Sequence, residues 1–206
     1  MKTISRNENK KLKSNFNMNI KFLKLLLLLA FMFNINTLFA QDNFYTSGYY
    51  FDKSGNKIEG LISHFSCTMI KFKENNNSKS KRIYSKDVLG FHTLGKNFKV
   101  VQNISIKSRM VLFPSKEDFA FVEIVREGKV NLYIVKIFVN NGMTYGSGYY
   151  YLIEKDNNIQ QIYRAPRRFR KQISEILSDN QLLLQEIINE KLAYNDIVRI
   201  VEKYNK

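Results

Sequence analysis

Arg164, Arg167, Arg168, Arg170 and Lys171 place five cations in eight residues, and four of them are among the chain's nine arginines. Lysine outnumbers arginine 24 to nine over the whole sequence, so a general preference for lysine does not account for this run. A guanidinium grips a carboxylate or phosphate with two parallel N–H donors, and the free N–H groups at a helix start add to that grip. The segment is therefore expected to bind an anion such as an acidic glycan or a lipid headgroup. Binding should be salt-sensitive and lost when Arg167, Arg168 and Arg170 become Ala. Cations in the first turn of a helix oppose its dipole, at about a few tenths of a kcal/mol each when exposed, a cost that a bound anion would offset. The alternative is a solvated basic turn, or arginines paired with Glu154, Glu175 and Asp179.

His64 and His92 are the only histidines, and Cys67 is the only cysteine. Neither histidine stands in a spacing that puts two metal ligands on one helix face, so no metal site is expected. His64, Cys67 and Asp87 would make a base, a nucleophile and an orienting carboxylate if they converged. The competing reading makes Cys67 a small core residue and places His64 at a strand end. No P-loop, dinucleotide fingerprint or GxSxG elbow is present, and no cofactor is expected. Glu59, Glu123 and Glu154 fall on different strands, which gives no paired acid and base. The first expectation is thus a non-enzymatic domain that binds a partner or ligand, with no catalytic residue assigned. An envelope hydrolase using His64 or His92 is the alternative.

These residues need a scaffold, and the period of the apolar residues predicts it. From 44 to 163 the chain is rich in Tyr, Phe, Val and Ile, and turn residues break it about every ten positions, which reads as antiparallel strands. Phe44–Phe51 and Lys57–Phe65 flank Asp52, Ser54, Gly55 and Asn56 as a first hairpin. Thr68–Lys73 alternates Ile70 and Phe72 with Lys71 and Lys73, a strand with one wet face, and Glu74–Lys81 reads as a polar loop. Ser85–Asp87 resembles a helix cap but is cut short by Gly90 and reads as a loop. Phe119–Arg126 and Val130–Phe138 surround Glu127, Gly128 and Lys129 as a second hairpin. Asn140, Asn141 and Gly142 turn the chain again, and Tyr149–Glu154 pairs with Ile159–Tyr163 around Asp156, Asn157 and Asn158. About eight or nine strands are expected, as a sandwich or a partly open barrel.

After Pro166 the period changes. Phe169, Ile173, Ile176 and Leu177 mark one face of a helix. Leu184, Ile187, Ile188 and Leu192 repeat the spacing after a cap at Asp179, and Ile197, Ile200, Val201 and Tyr204 do so after Asn195. The class is α+β, with a strand-rich body at 44–163 and three short helices at 166–206. None of the helices is long enough to stand alone, so their apolar stripes must pack on the strands or on one another.

Ser47, Gly48, Tyr49 and Tyr50 recur as Ser147, Gly148, Tyr149 and Tyr150, each at the opening of a hairpin. Shared hairpin grammar explains this echo better than duplication, because little else matches. Gly48, Tyr49, Tyr50, then Gly55 to Ile62, and the ending from Tyr194 to Asn205 with its Lys-Tyr-Asn motif, resemble uncharacterised exported proteins of Bacteroidetes type. That resemblance implies an envelope location and carries no activity.

Export is also readable from the opening. Leu25–Phe33 is apolar and follows Lys21 and Lys24, while Asn34 and Asn36 interrupt it before it reaches the roughly 20 residues of a membrane span. Residues 1–40 are read as a signal peptide cut before Gln41, with 41–206 as a single domain. Translation from Met18 is an alternative to Met1, since Lys21 and Lys24 then form an ordinary n-region. Residues 1–40 hold seven of the 33 cations and one of the 18 anions, which leaves 26 and 17 in residues 41–206, a net charge of +9. Such a balance suits an anionic partner, although lysine-rich composition produces it too. The expected place is the periplasm, the outer-membrane surface or the medium, and nucleic acid is the weaker partner because exported proteins rarely meet it. An outer-membrane barrel is the third reading, opposed by the helical tail and by lysines on alternate strand positions. One cysteine excludes a disulfide framework, so stability must come from packing.

Overall fold

The two sets of apolar periods become two kinds of layer in the computed structural model, which describes residues 45–107, 115–140 and 145–206. The export signal read at 1–40 and the turn residues Asn141 and Gly142 lie outside the described residues. The strand-rich body is one antiparallel sheet, and its ten strands replace the expected eight or nine. A first meander comprises β1 (Thr46–Asp52), β2 (Lys57–Ser66), β3 (Met69–Lys73) and β4 (Lys81–Tyr84). A second comprises β5 (Val88–Thr93), β6 (Lys96–Ile106), β7 (Ser115–Arg126), β8 (Asn131–Asn140), β9 (Tyr145–Lys155) and β10 (Asn158–Gln161). They join where β1 pairs with β5, so that β4 and β10 are the two edges.

Turn chemistry sets the hairpins. Between β1 and β2 the Asp52 carboxylate accepts from the Ser54 and Asn56 backbone N–H groups at 2.9 Å each, while Gly55 takes φ +83°. Between β9 and β10, Asp156 and Asn157 both have positive φ, 51° and 61°, as the tight hairpin turn requires. Lys81–Tyr84 pairs with β3 as a short edge strand, of which only Lys81 falls in the polar loop read at Glu74–Lys81. Ser85–Asp87, expected to be a loop, is a single 3-10 turn.

That turn forces the sheet to curl. Four strand spacings separate β4 from β5 in the sheet order, about 19 Å if the sheet were flat. Three residues of 3-10 helix advance the chain only about 8 Å between Tyr84 and Val88. The first meander must therefore wrap round, and its far corner lands on β7. The Ser85 hydroxyl donates to the Phe119 carbonyl at 2.8 Å, and the Phe121 N–H donates to the Cys67 carbonyl at 2.5 Å. Inside the wrap, Tyr50, Ile62, Ile70, Phe72, Phe91, Phe98 and Phe121 form a buried cluster, with Phe91 and Phe98 stacked at 4.2 Å between ring centres. Ile70 and Phe72 are fully buried, which bears out the wet-and-dry alternation read in β3.

The second meander buries both faces. On one side Val101, Val122, Tyr133, Val135 and Leu152 pack together. On the other, Val130, Leu132, Ile153 and Ile162 receive the helices α1 (Pro166–Ile176), α2 (Gln181–Ile188) and α3 (Ile197–Asn205). Leu132 and Tyr133, adjacent in β8, thus serve opposite cores, as the two-residue period of a strand demands. Phe169, Ile173 and Leu177 of the first helical stripe are buried, and so are Ile197, Ile200, Val201 and Tyr204 of the last. The middle stripe is shifted, with Leu183 and Ile187 buried and Ile188 exposed.

Both expected caps move by one residue. Asn180, not Asp179, caps α2 by accepting from the Leu183 N–H at 3.1 Å. Asp179 is drawn away by Tyr204, whose hydroxyl donates to it at 2.5 Å, and by Lys155 at 3.0 Å. The bond from Tyr204, followed by that from Lys155, pulls the Asp179 carboxyl down to about 2. At the start of α3, Asn195 lies in a 3-10 turn, Tyr194–Asp196, and it is the Asp196 carboxylate that accepts from the Ala193 N–H at 2.9 Å.

The Lys-Tyr-Asn ending now has a physical role. Lys203 pairs with Glu186, Tyr204 with Asp179, and the Asn205 carboxamide both accepts from the Val130 N–H at 3.0 Å and donates to its carbonyl at 2.8 Å. Each residue of the motif fastens α3 to a different element.

Candidate functional site

Chain path places the basic run. Beyond β10 the Ile162 N–H still donates to the Tyr151 carbonyl at 2.9 Å, so the strand pairing carries on to the start of the linker 162–165. The buried Gln172 of α1 staples that linker from the other side. It accepts from the Tyr163 N–H at 3.1 Å and donates to the Gln161 carbonyl at 2.9 Å. Pro166 opens α1, where its missing N–H costs nothing. Arg164 is thereby held at a fixed junction between sheet and helix. Its Nη2 donates to the Tyr149 carbonyl at 3.1 Å and its Nε to the Tyr194 hydroxyl at 3.2 Å, with the guanidinium 5.4 Å over the Tyr194 ring. The bond to Tyr194 raises the already high pKa of this arginine further.

Two clefts meet at Arg164. One, of about 400 Å³, lies between the first half of β9 and the start of α1, and Lys107, Arg164 and Arg168 line it with Tyr149, Tyr150 and Tyr163. Among the described residues no carboxylate lines this cleft. The Arg168 guanidinium stands 5.9 Å over the Tyr163 ring. Lys107 is brought in from just beyond β6 by Gln161, whose side-chain amide accepts from the Lys107 N–H at 2.7 Å and donates to its carbonyl at 3.0 Å. The other cleft, of about 670 Å³, is lined by Arg164, Arg170 and Glu190 with Tyr151, Phe169 and Tyr194. There Arg170 is paired with Glu190 at 2.9 Å.

The run of five cations is thus divided. Arg164, Arg168 and Arg170 line the clefts, whereas Arg167 and Lys171 are exposed and line neither. Of the expected acidic partners, Asp179 is held by Tyr204 and Lys155. Glu154 accepts from Tyr133 and Asn131 at 2.5 and 2.8 Å, and Arg170 takes Glu190 instead. Lys107 and the five tyrosines had no signal of their own in the sequence, except that Tyr149 and Tyr150 belong to the Ser-Gly-Tyr-Tyr echo.

The other candidates line neither cleft. His64 packs edge-on against Phe91 and Phe98, and its Nε2 lies 3.1 Å from the Ser66 carbonyl, which can only accept, so Nε2 carries the proton. Burial, with Lys136 adding to it, pushes this imidazole down to about 4. Cys67 is buried, and burial together with the charge of Glu117 pushes its thiol up to about 12, which keeps it from being a thiolate nucleophile near neutral pH. Asp87 is exposed. His92 stacks on Tyr49 at 5.1 Å and lies 2.7 Å from the Asn97 side-chain oxygen. Neither histidine lines either cleft. Glu59 is paired with Lys57 and Glu123 with Lys96, while Glu154 answers to Tyr133, Asn131 and Lys99. Burial works to raise the Glu154 carboxyl, but those hydrogen bonds and the Lys99 charge outweigh it and hold it low. No group of three or more His, Cys, Asp or Glu residues that could hold a metal converges among the described residues. Among them, too, no helix is long and apolar enough to cross a membrane.

The His64 environment has a measurable consequence. Above pH 6.5 the imidazole is neutral whether the chain is folded or not. Between about pH 6.5 and 4 the unfolded chain takes a proton that the folded one refuses, so stability falls by about 1.4 kcal/mol per pH unit, about 3 kcal/mol in all. Urea unfolding across this range should show the slope in the native protein and a flatter profile in His64→Gln, which keeps a donor for Ser66. Parallel profiles would mean that His64 does not govern the acid response.

No family model matches the chain, and no curated protein and no solved structure matches it either.

Proposed function

We propose that this chain is a non-enzymatic binding domain of the cell envelope or surface, exported by the apolar opening of residues 1–40, and that it holds an anionic glycan in the cleft beside Arg164. The observation that carries this reading is the cleft of about 400 Å³ lined by Lys107, Arg164 and Arg168 with no carboxylate among its described lining residues. Three cations brought together from just beyond β6, the linker and α1 repel one another, and an acid group placed among them relieves that repulsion while taking guanidinium hydrogen bonds. The tyrosines give flat faces for a sugar ring and hydroxyls for its edges. The resemblance to exported Bacteroidetes-type proteins supports the location.

Salt alone does not test this, because a chain of such net positive charge attracts any polyanion at low ionic strength. The purified protein should be retained on an immobilised uronate polysaccharide at about 0.1 M salt and released at about 1 M, where the screening length falls to about 3 Å. Soluble uronate oligosaccharide should displace it, and a neutral polysaccharide should not retain it. Equal retention by the neutral polymer would overturn the reading. Binding confined to vesicles of anionic phospholipid would replace the glycan by a lipid headgroup.

A further inference from the structure

The two clefts that share Arg164 differ in charge, and the difference points to the repeat of the ligand. In the cleft of about 400 Å³ the cations outnumber the acids three to none among the described lining residues. In the neighbouring cleft of about 670 Å³ Arg170 is paired with Glu190 at 2.9 Å, which leaves the shared Arg164, among the described lining residues, as its one cation without a carboxylate beside the rings of Tyr151, Phe169 and Tyr194. Tyr194 meets Tyr151 and Phe169 edge to face, with ring centres 5.8 and 6.0 Å apart. Arg164 spans the boundary, with one N–H donated to Tyr149 of the cationic cleft and one to Tyr194 of the aromatic cleft.

The neutralising acid is held there at a cost. Glu190 follows α2 with φ +61°, a left-handed position that a glycine or asparagine fills most easily. The Glu190 N–H donates to the Ile187 carbonyl at 3.2 Å, so the chain closes the helix through a residue poorly suited to it and gains a carboxylate facing Arg170. The pairing of Arg170 is thus built into the second cleft, whose one cation without a carboxylate among the described lining residues is Arg164, shared with the first.

We infer that the two clefts are adjoining subsites for one acidic sugar linked to one neutral sugar, the acid lying among Lys107, Arg164 and Arg168 and the neutral ring against Tyr151 and Tyr194. This rests on the anionic-glycan reading and extends it. A second acid in the aromatic cleft would face Glu190, and an acyl chain there would have to cover the Arg170–Glu190 pair and strip it of water, which is costly for charged groups. A sugar ring stacks on the tyrosines while its hydroxyls satisfy Glu190, Asn195 and the Tyr194 hydroxyl.

Calorimetric titration of the purified protein with three probes tests the inference: glucuronic acid, glucuronic acid linked to N-acetylglucosamine, and a galacturonic acid dimer. The mixed disaccharide should bind about tenfold tighter than glucuronic acid, the equivalent of about 1.4 kcal/mol, and the diacid should gain nothing over it. Glu190→Gln keeps the side-chain shape and frees Arg170, so in that variant the diacid should gain and overtake the mixed disaccharide. If glucuronic acid binds and the mixed disaccharide binds no tighter, the second subsite is wrong and the anion site stands. A native protein that prefers the diacid, or a variant that does not change the preference, also overturns the subsite assignment. Failure of all three probes to bind overturns the glycan reading with it.

Discussion

Gly60→Val is expected to destabilise the protein by more than about 3 kcal/mol, at or beyond the upper end of ordinary overpacking. A Cβ on Gly60 would stand 2.4 Å from the Lys73 carbonyl oxygen and 2.5 Å from the Phe72 ring. The first of these is backbone in the paired strand β3, and the second belongs to a fully buried ring that meets Tyr50 edge-on at 5.0 Å. Neither can give way without opening the curl that brings β4 round to β5. Gly55→Ala makes the control: it also strains the backbone, at φ +83°, but meets nothing within 4 Å, so it should cost only about 1–2 kcal/mol. Urea midpoints and a near-ultraviolet spectrum would separate them. If Gly60→Val unfolds at the midpoint of Gly55→Ala, the tight wrap of the first meander is not a feature of the folded protein.

Ile200→Ala should cost about 2–5 kcal/mol, the range for deleting a buried aliphatic side chain and leaving its cavity. Ile200 is wholly buried on α3, in the core that joins α1, α2 and α3 to Val130, Leu132 and Ile153. For a domain whose whole stability is of the order of 5–15 kcal/mol this is a large share. Ile188→Ala removes the same atoms from an exposed place and should change stability by no more than about 0.5 kcal/mol. Because α1 carries Arg168 and the tail lines the aromatic cleft, ligand affinity in Ile200→Ala should fall along with the folded fraction as urea rises. Equal midpoints for the two variants would mean that the tail does not dock as described.

Much of this architecture is legible in the residues. Hairpins are legible at Gly55 and at Asp156 with Asn157, where turn residues take positive φ, but the β5–β6 turn at Leu94 and Gly95 is not; the tail is legible because Phe169, Ile173 and Leu177 recur at helical spacing. β4 escaped because Lys81, Arg82, Ile83 and Tyr84 form an exposed edge, and an edge strand needs no continuous alternation of apolar residues. The α2 cap shifted by one residue because Tyr204 and Lys155 had a stronger claim on Asp179, the first of them a partnership between residues 25 positions apart. The candidate site shows the same limit. Arginine density marks the segment that borders both clefts, but the geometry of the linker and helix decides which of its cations line them. Lys107, Tyr149 and Tyr194 reach Arg164 or its clefts from separate elements, and local spacing does not encode such meetings.

Two double variants that remove equal charge test the central claim most directly: Arg164→Ala with Arg168→Ala, against Arg167→Ala with Lys171→Ala. Each lowers the net charge by two, but only the first pair takes cations from the cleft of about 400 Å³. With both variants shown to be folded by their thermal transitions, titration with a uronate oligosaccharide should find at least a tenfold loss of affinity in the first, the equivalent of about 1.4 kcal/mol or more, and native affinity in the second. The same loss in both would show that overall positive charge does the binding, and the cleft at Arg164 would not be the site.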